Sequence, residues 1–147
     1  MAKTIKNMKD LEKALQPVLL GMADELAERV YEVLNYFLQE YYNSYDPKSY
    51  RRQYDFLRSA VKIKAKMSGN KAVASVFIDT DYMDSYYNAT GYQVAAWANQ
   101  GTHGGLNTGS STPHVWDDTL NETVNNGELL KLAVEYLESK GIPVTNI

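Results

Sequence analysis

The sequence has no cysteine among its 147 residues. That removes thiolate nucleophiles, cysteine-ligated zinc, iron–sulfur clusters and disulfide staples, and leaves the redox compartment open. Histidine is scarce, with two, as are tryptophan (two), phenylalanine (three) and proline (four). No apolar run approaches the ~18 residues of a membrane span. The opening Met1-Ala2-Lys3-Thr4-Ile5-Lys6 leads into a charged amphipathic stretch, not an apolar signal-peptide core. The expectation is a cytoplasmic protein with no membrane partner. Apolar residues are plentiful at 44 %, enough for one domain over 1–147 that hides roughly two thirds of the surface its unfolded chain exposes. Tyrosine is abundant, with twelve, and its large area and polar tip suit protein interfaces as well as half-buried positions.

Apolar residues at Met8, Leu11, Leu15, Leu19, Met22, Leu26, Val30, Val33, Phe37 and Tyr41 step by three, four and four, which predicts a long amphipathic helix. The eleven-residue period keeps the stripe nearly straight. Asn7 and Asp10 form a capping pair at its start, and Pro17 predicts a kink or a fresh start. From Pro17 to Tyr42 alone the helix is roughly 39 Å long at 1.5 Å per residue, longer than its own core needs, so part of it is expected to face a partner. Asn43-Ser44-Tyr45-Asp46-Pro47 ends it.

Ala60 to Met67 alternates strictly and predicts a strand with one apolar and one lysine face. Ser68-Gly69-Asn70 supplies a turn, and Ala72 to Ile78 predicts a second, more deeply buried strand, completing a β-hairpin. Asp79 to Gly91 is a polar, Tyr-rich insert, and Val94 to Ala98 is a short apolar segment of either type. Asn99 to Pro113, with four glycines, predicts a mobile loop. From Trp116 a near-helical spacing runs to Leu137, interrupted at Asn125-Asn126-Gly127, with Gly141 and Pro143 as stop signals. The predicted class is α+β: a long N-terminal helix and a C-terminal helix packed on a small antiparallel sheet, with a Gly-rich loop.

Charge is segregated. Residues 1–47 carry five basic and eight acidic side chains, 48–71 eight and one, and 72–147 two and nine, giving blocks of −3, +7 and −7. A bipolar chain can pair its charges internally, protect an edge strand with lysines, or join a positive face to the negative face of another copy, a heterologous, ring- or filament-forming contact. Arg51, Arg52 and Arg58 are the candidates to bridge to acidic residues of a neighbouring copy. A nucleic-acid reading competes, in which Arg51, Arg52, Arg58, Lys62, Lys64 and Lys66 neutralise phosphates while Tyr50, Tyr54 and Phe56 stack on bases. The acidic total argues against a dedicated DNA binder.

Chemistry-bearing motifs are sparse. His103 and His114 with Asp117 and Asp118 could hold a metal for a hydrolase, but at no helical ligand spacing. Gly101-Thr102-His103-Gly104-Gly105 lacks the Lys-Ser/Thr of a phosphate loop. No Gly-x-Ser-x-Gly occurs. The expectation is a protein that is not an enzyme and needs no cofactor.

Several features together resemble one family: the long first helix, the connector Tyr45-Asp46-Pro47-Lys48-Ser49-Tyr50-Arg51-Arg52-Gln53-Tyr54-Asp55-Phe56-Leu57-Arg58-Ser59, the strand ending Val76-Phe77-Ile78-Asp79, the segment Asn99-Gln100-Gly101-Thr102-His103-Gly104, and the closing helix to Lys140-Gly141-Ile142. The chain resembles the head–tail connector, or tail-completion, proteins of long-tailed bacteriophages and prophages of Gram-positive bacteria. It departs from that pattern at Gln53 and at Pro113-His114-Val115-Trp116. The resemblance implies a structural virion protein, present in the host cytoplasm during assembly, that forms a homo-oligomeric, hexameric ring at the head–tail junction. Head-closure and tail-terminator proteins would be its neighbours, and DNA would pass without sequence-specific recognition. Subunit contacts would then fall on Tyr50, Arg51, Arg52, Tyr54, Arg58, Asn99, Gly101, Thr102 and His103, with Lys62, Lys64 and Lys66 on the lumen or basic face. The alternative is a nucleic-acid-binding or regulatory module of a mobile element that uses the basic segment 48–71.

Overall fold

The computed structural model describes residues 4–44, 54–82, 89–103 and 112–145. The chain is built around one helix, α1 (Met8–Asn43), about 54 Å long at 1.5 Å per residue. Asn7 caps it, its Oδ1 accepting the Asp10 N–H at 2.9 Å, while the Asp10 carboxylate reaches back to the Lys6 N–H at 3.1 Å. The predicted pair therefore satisfies donors on both sides of the helix start. Pro17 does not open a new helix, because α1 begins at Met8 and passes through it. Pro17 and Lys13, the residue whose carbonyl loses its N–H partner, are both exposed, so that carbonyl is open to solvent and the defect is tolerated.

Strands β1 (Ala60–Ser68) and β2 (Lys71–Ile78) pair antiparallel and pack on α1. They close through Gly69-Asn70, with Gly69 at φ 62°, a conformation that glycine adopts without a Cβ penalty. Two features of the predicted hairpin need correction. Between the pairs Ile63↔Ser75 and Lys66↔Val73, β1 has one residue more than β2, so a β-bulge switches the faces midway and the lysines share no single face. Before the bulge Lys62 turns toward α1 and pairs with Glu28, and Ile63 turns outward at 44 % exposure. Nor is β2 the deeply buried strand: Val73 and Phe77 are exposed, and none of its residues is fully buried.

The undecided segment is a helix, α2 (Gly91–Asn99). Its signal is Thr90-Gly91-Tyr92-Gln93, a capping box in which the Thr90 hydroxyl accepts the Gln93 N–H and Gln93 Oε1 accepts the Thr90 N–H. After residue 111 come α3 (Val115–Leu120), a π-helical turn (Asn121–Asn125) and α4 (Glu128–Ser139), broken at Gly127 (φ 79°) where the sequence predicts the interruption. Thr119 and Thr123, both fully buried, donate to the carbonyls of Val115 and Thr119 and so bury no unpaired hydroxyl. At the far end Ile142 N–H bonds to Leu137 O and Gly141 N–H to Glu138 O, a Schellman motif on the predicted stop glycine.

The class is α+β, and α1 is the common partner of the hairpin, α3 and α4. The core lies at its C-terminal end, where Leu34, Leu38, Tyr41 and Tyr42 pack with Phe56, Ala98 and Val115. Leu34, Leu38 and Tyr42 lie beside the predicted stripe, not on it, since α1 is covered from several directions here. α4 runs antiparallel to α1, because Arg29 Nε meets Glu128 Oε1 at 2.9 Å and Gly21 lies against the Tyr136 hydroxyl. Among the described residues no buried side-chain nitrogen or oxygen lacks a partner, and no helix is long and apolar enough to cross a membrane.

Candidate functional site

Two surfaces gather the residues singled out by sequence. The first is the stem of the Gly-rich segment. α2 ends in a second Schellman motif, with Thr102 N–H on Trp97 O at 2.9 Å and Gly101 N–H on Ala98 O at 3.2 Å, and Gly101 takes the left-handed conformation at φ 74°. Its missing side chain also leaves room for the His114 ring, which an added Cβ would approach to 3.0 Å. Asn99, the last residue of α2, spends its side chain on α3: Oδ1 accepts the N–H groups of Trp116 and Asp117 at 3.0 and 2.8 Å. It supplies the cap that His114, at the N-cap position itself, does not.

His103 holds this stem to the end of α1, and His114 ties it to the start of α3. His103 stacks on Tyr41 with ring centroids 4.0 Å apart, and the Tyr41 hydroxyl donates to Thr102 O at 2.6 Å. Ser44 Oγ donates to Tyr41 O at 2.7 Å and lies 3.1 Å from His103 Nε2. A hydroxyl has one proton to give, so His103 Nε2 carries the proton of the second bond. His114 Nδ1 likewise donates to the Asn99 carbonyl at 3.0 Å. The predicted interface residues Asn99, Gly101, Thr102 and His103 are thus engaged within the chain. Of their partners, Tyr41 closes the apolar stripe and Ser44 belongs to the helix stop, and neither signal points to this site. Residues 104–111, the centre of the predicted mobile loop, lie outside the described residues.

The second surface is the basic segment and hairpin. Tyr50, Arg51 and Arg52 lie outside the described residues. Phe56 is buried in the core, while Tyr54 is 46 % exposed and stacks on Tyr42 with centroids 5.7 Å apart. Arg58, Lys64 and Lys66 are exposed. Lys62 donates to Glu28. That hydrogen bond is the largest influence holding its pKa above the ordinary lysine value; desolvation opposes it, and the charges of Glu28, Asp24 and Tyr31 add to it. The stabilisation that this raised pKa contributes is present at neutral pH and is lost as pH rises through the raised value. One turn before Glu28, Asp24 accepts the Ala65 N–H at 2.6 Å. It satisfies the backbone group that the bulge leaves without a strand partner.

On the side away from α1 the hairpin leaves Ile63, Val73 and Phe77 exposed, apolar side chains around Ser75 that strict alternation concealed. Among the described residues no three His, Asp or Glu side chains gather closely enough to hold a metal ion. His114 meets Asp118 through its backbone, its N–H donating to the Asp118 carboxylate at 2.8 Å and its carbonyl accepting the Asp118 N–H at 2.8 Å.

A long helix, a small open hairpin and a pinned Gly-rich stem form the framework matched by one family model, YomN, over residues 7–139. The chain belongs to the YomN family. That family is associated with Bacillus phages and prophages, and the protein is phage-related. No curated protein and no solved structure matches the chain.

Proposed function

We propose that this YomN-family protein is a structural component of the phage head–tail junction, a tail-completion or head–tail connector subunit that assembles as a hexameric ring through which DNA passes. The observation that carries this reading is unfinished packing. α1 extends beyond its own core to a Met8 end that is 70 % exposed, and the two-stranded sheet presents apolar side chains outward. Surfaces of this kind are stable when neighbours cover them. The +7 and −7 charge blocks supply the non-identical, complementary faces that a closed ring of identical subunits requires.

In this reading the protein resides in the virion, and in the host cytoplasm during assembly, with head-closure and tail-terminator proteins as neighbours. It works by binding alone, without catalysis or cofactor. Light scattering across protein and salt concentrations, with negative-stain images, is the test. Rings are expected, and reversing the charges of Arg51 and Arg52 should abolish them while far-UV circular dichroism stays unchanged. Unchanged assembly of that variant would remove the proposed charge bridge. Arg58, Lys64, Lys66 and Tyr54, all exposed, also favour a second reading, a nucleic-acid-binding module. A strict monomer with steeply salt-dependent DNA affinity would establish that reading instead.

A further inference from the structure

The two edges of the hairpin are built differently. β1 is blunted by its bulge and carries Lys62, Lys64 and Lys66, devices that discourage pairing with another chain. From Ala72 to Ile78, β2 has no charge, no proline and no bulge. Among the described residues its outer edge pairs with nothing. Asp79 N–H bonds inward to Ser59 O at 2.7 Å. By the alternation of an antiparallel ladder, the backbone groups of Ala72, Ala74, Val76 and Ile78 therefore point outward at that open edge.

We propose that this edge pairs antiparallel with β2 of a second copy of the chain, centred on Ser75, joining two hairpins into one four-stranded sheet. The sequence is self-complementary in that register. Ala74 takes a hydrogen-bonded position opposite Val76 of the partner subunit, and Ala72 one opposite Ile78 of the partner subunit. On the outer face Val73 meets Phe77 of the partner subunit, a β-branched and aromatic cross-strand pair of the favoured kind. Lys71 meets Asp79 of the partner subunit, an opposite-charge pair at each end. Phe77, already opposite Val61 within its own hairpin, gains an apolar neighbour on its other side.

The contact is isologous and closes after two copies, so it stands apart from the ring reading, whose contacts join non-identical faces. Opposed residues of a non-hydrogen-bonded pair have Cα atoms about 4.5 Å apart, within the roughly 4.4–6.8 Å that a disulfide spans. Because the chain has no cysteine, Ser75→Cys introduces a single thiol on the two-fold axis. Mild oxidation of the full-length Ser75→Cys protein is expected to give a covalent dimer, and Ser68→Cys at the exposed hairpin tip to give none.

Ala74→Pro removes an N–H that faces outward, not a bond to β1, and should shift the light-scattering mass down by the dimer step with circular dichroism unchanged. Independently, Lys71→Asp should weaken dimerisation and Lys71→Asp with Asp79→Lys should restore it. A full-length protein that is monomeric at every concentration, or one whose Ser75→Cys form cross-links no better than Ser68→Cys, overturns the proposal. Rings without the Ser75 cross-link would retain the connector reading and reject this contact; cross-linked dimers without rings would do the reverse.

Discussion

Toward its C-terminal end α1 carries Leu34 and Leu38, both 0 % exposed, and toward its N-terminal end it carries Met8, 70 % exposed, with Leu11 and Leu15 only half-buried. The residues are alike in hydrophobicity, and the surroundings differ. At the C-terminal end the Phe56 turn, α2 and α3 reach the helix from separate directions. At the N-terminal end the described chain places little against it. Apolar content alone therefore does not say where a core is; the number of elements that converge on a helix does. The covered end carries the stability of the fold, and the bare end adds little to it.

The sharpest break of this contrast is Leu38→Ala against Met8→Ala. Denaturant unfolding should show a loss of about 2–5 kcal/mol for the first and a change within about 0.5 kcal/mol for the second; equal losses would erase the distinction. A finer comparison sets Gly101 against Gly69. Both have positive φ, but a Cβ at Gly69 meets nothing within 4 Å, whereas at Gly101 it meets the His114 ring. Gly69→Ala should cost about 1–2 kcal/mol from backbone conformation, and Gly101→Ala should cost more, read from thermal unfolding.

The smallest effect carries a change of sign. Alanine is favoured over glycine within a helix by roughly 0.5–1 kcal/mol, yet a Cβ at Gly21 would overlap the Tyr136 hydroxyl. Gly21→Ala should therefore destabilise the native chain and stabilise the Tyr136→Ala variant, and a stabilising effect in both would show that α4 does not need the close approach.

Local chemistry was legible in the sequence. The Asn7–Asp10 cap, the Gly69-Asn70 turn, the break at Gly127 and the Gly141 stop each depend on a few adjacent residues, and each was found. The bulge was hidden, because the pattern Val61 to Met67 alternates without fault and its register is set by Asp24 and Glu28, some forty residues away in the chain. Leu34 and Leu38 escaped the stripe because a single-face pattern assumes a single covering partner. Val94 to Ala98 is too short for its spacing to separate helix from strand, although Thr90 and Gln93 announce the helix α2. Around the Gly-rich stem the residues named were those that meet there, but their engagement with Tyr41, Ser44 and α3 is tertiary, and no spacing along the chain encodes it.

The continuity of α1 fixes the phase between its two ends. Asp24 and Glu28 hold the bulged strand, and Leu34, Leu38 and Tyr41 hold the core, with only an uninterrupted helix between them. One residue inserted or deleted there would turn one group of contacts by about 100° relative to the other. Between Asp10 and Pro17, where α1 has little to stay in phase with, the same change would leave both groups aligned. Length variation in this helix is therefore permitted at its N-terminal end and forbidden in its middle.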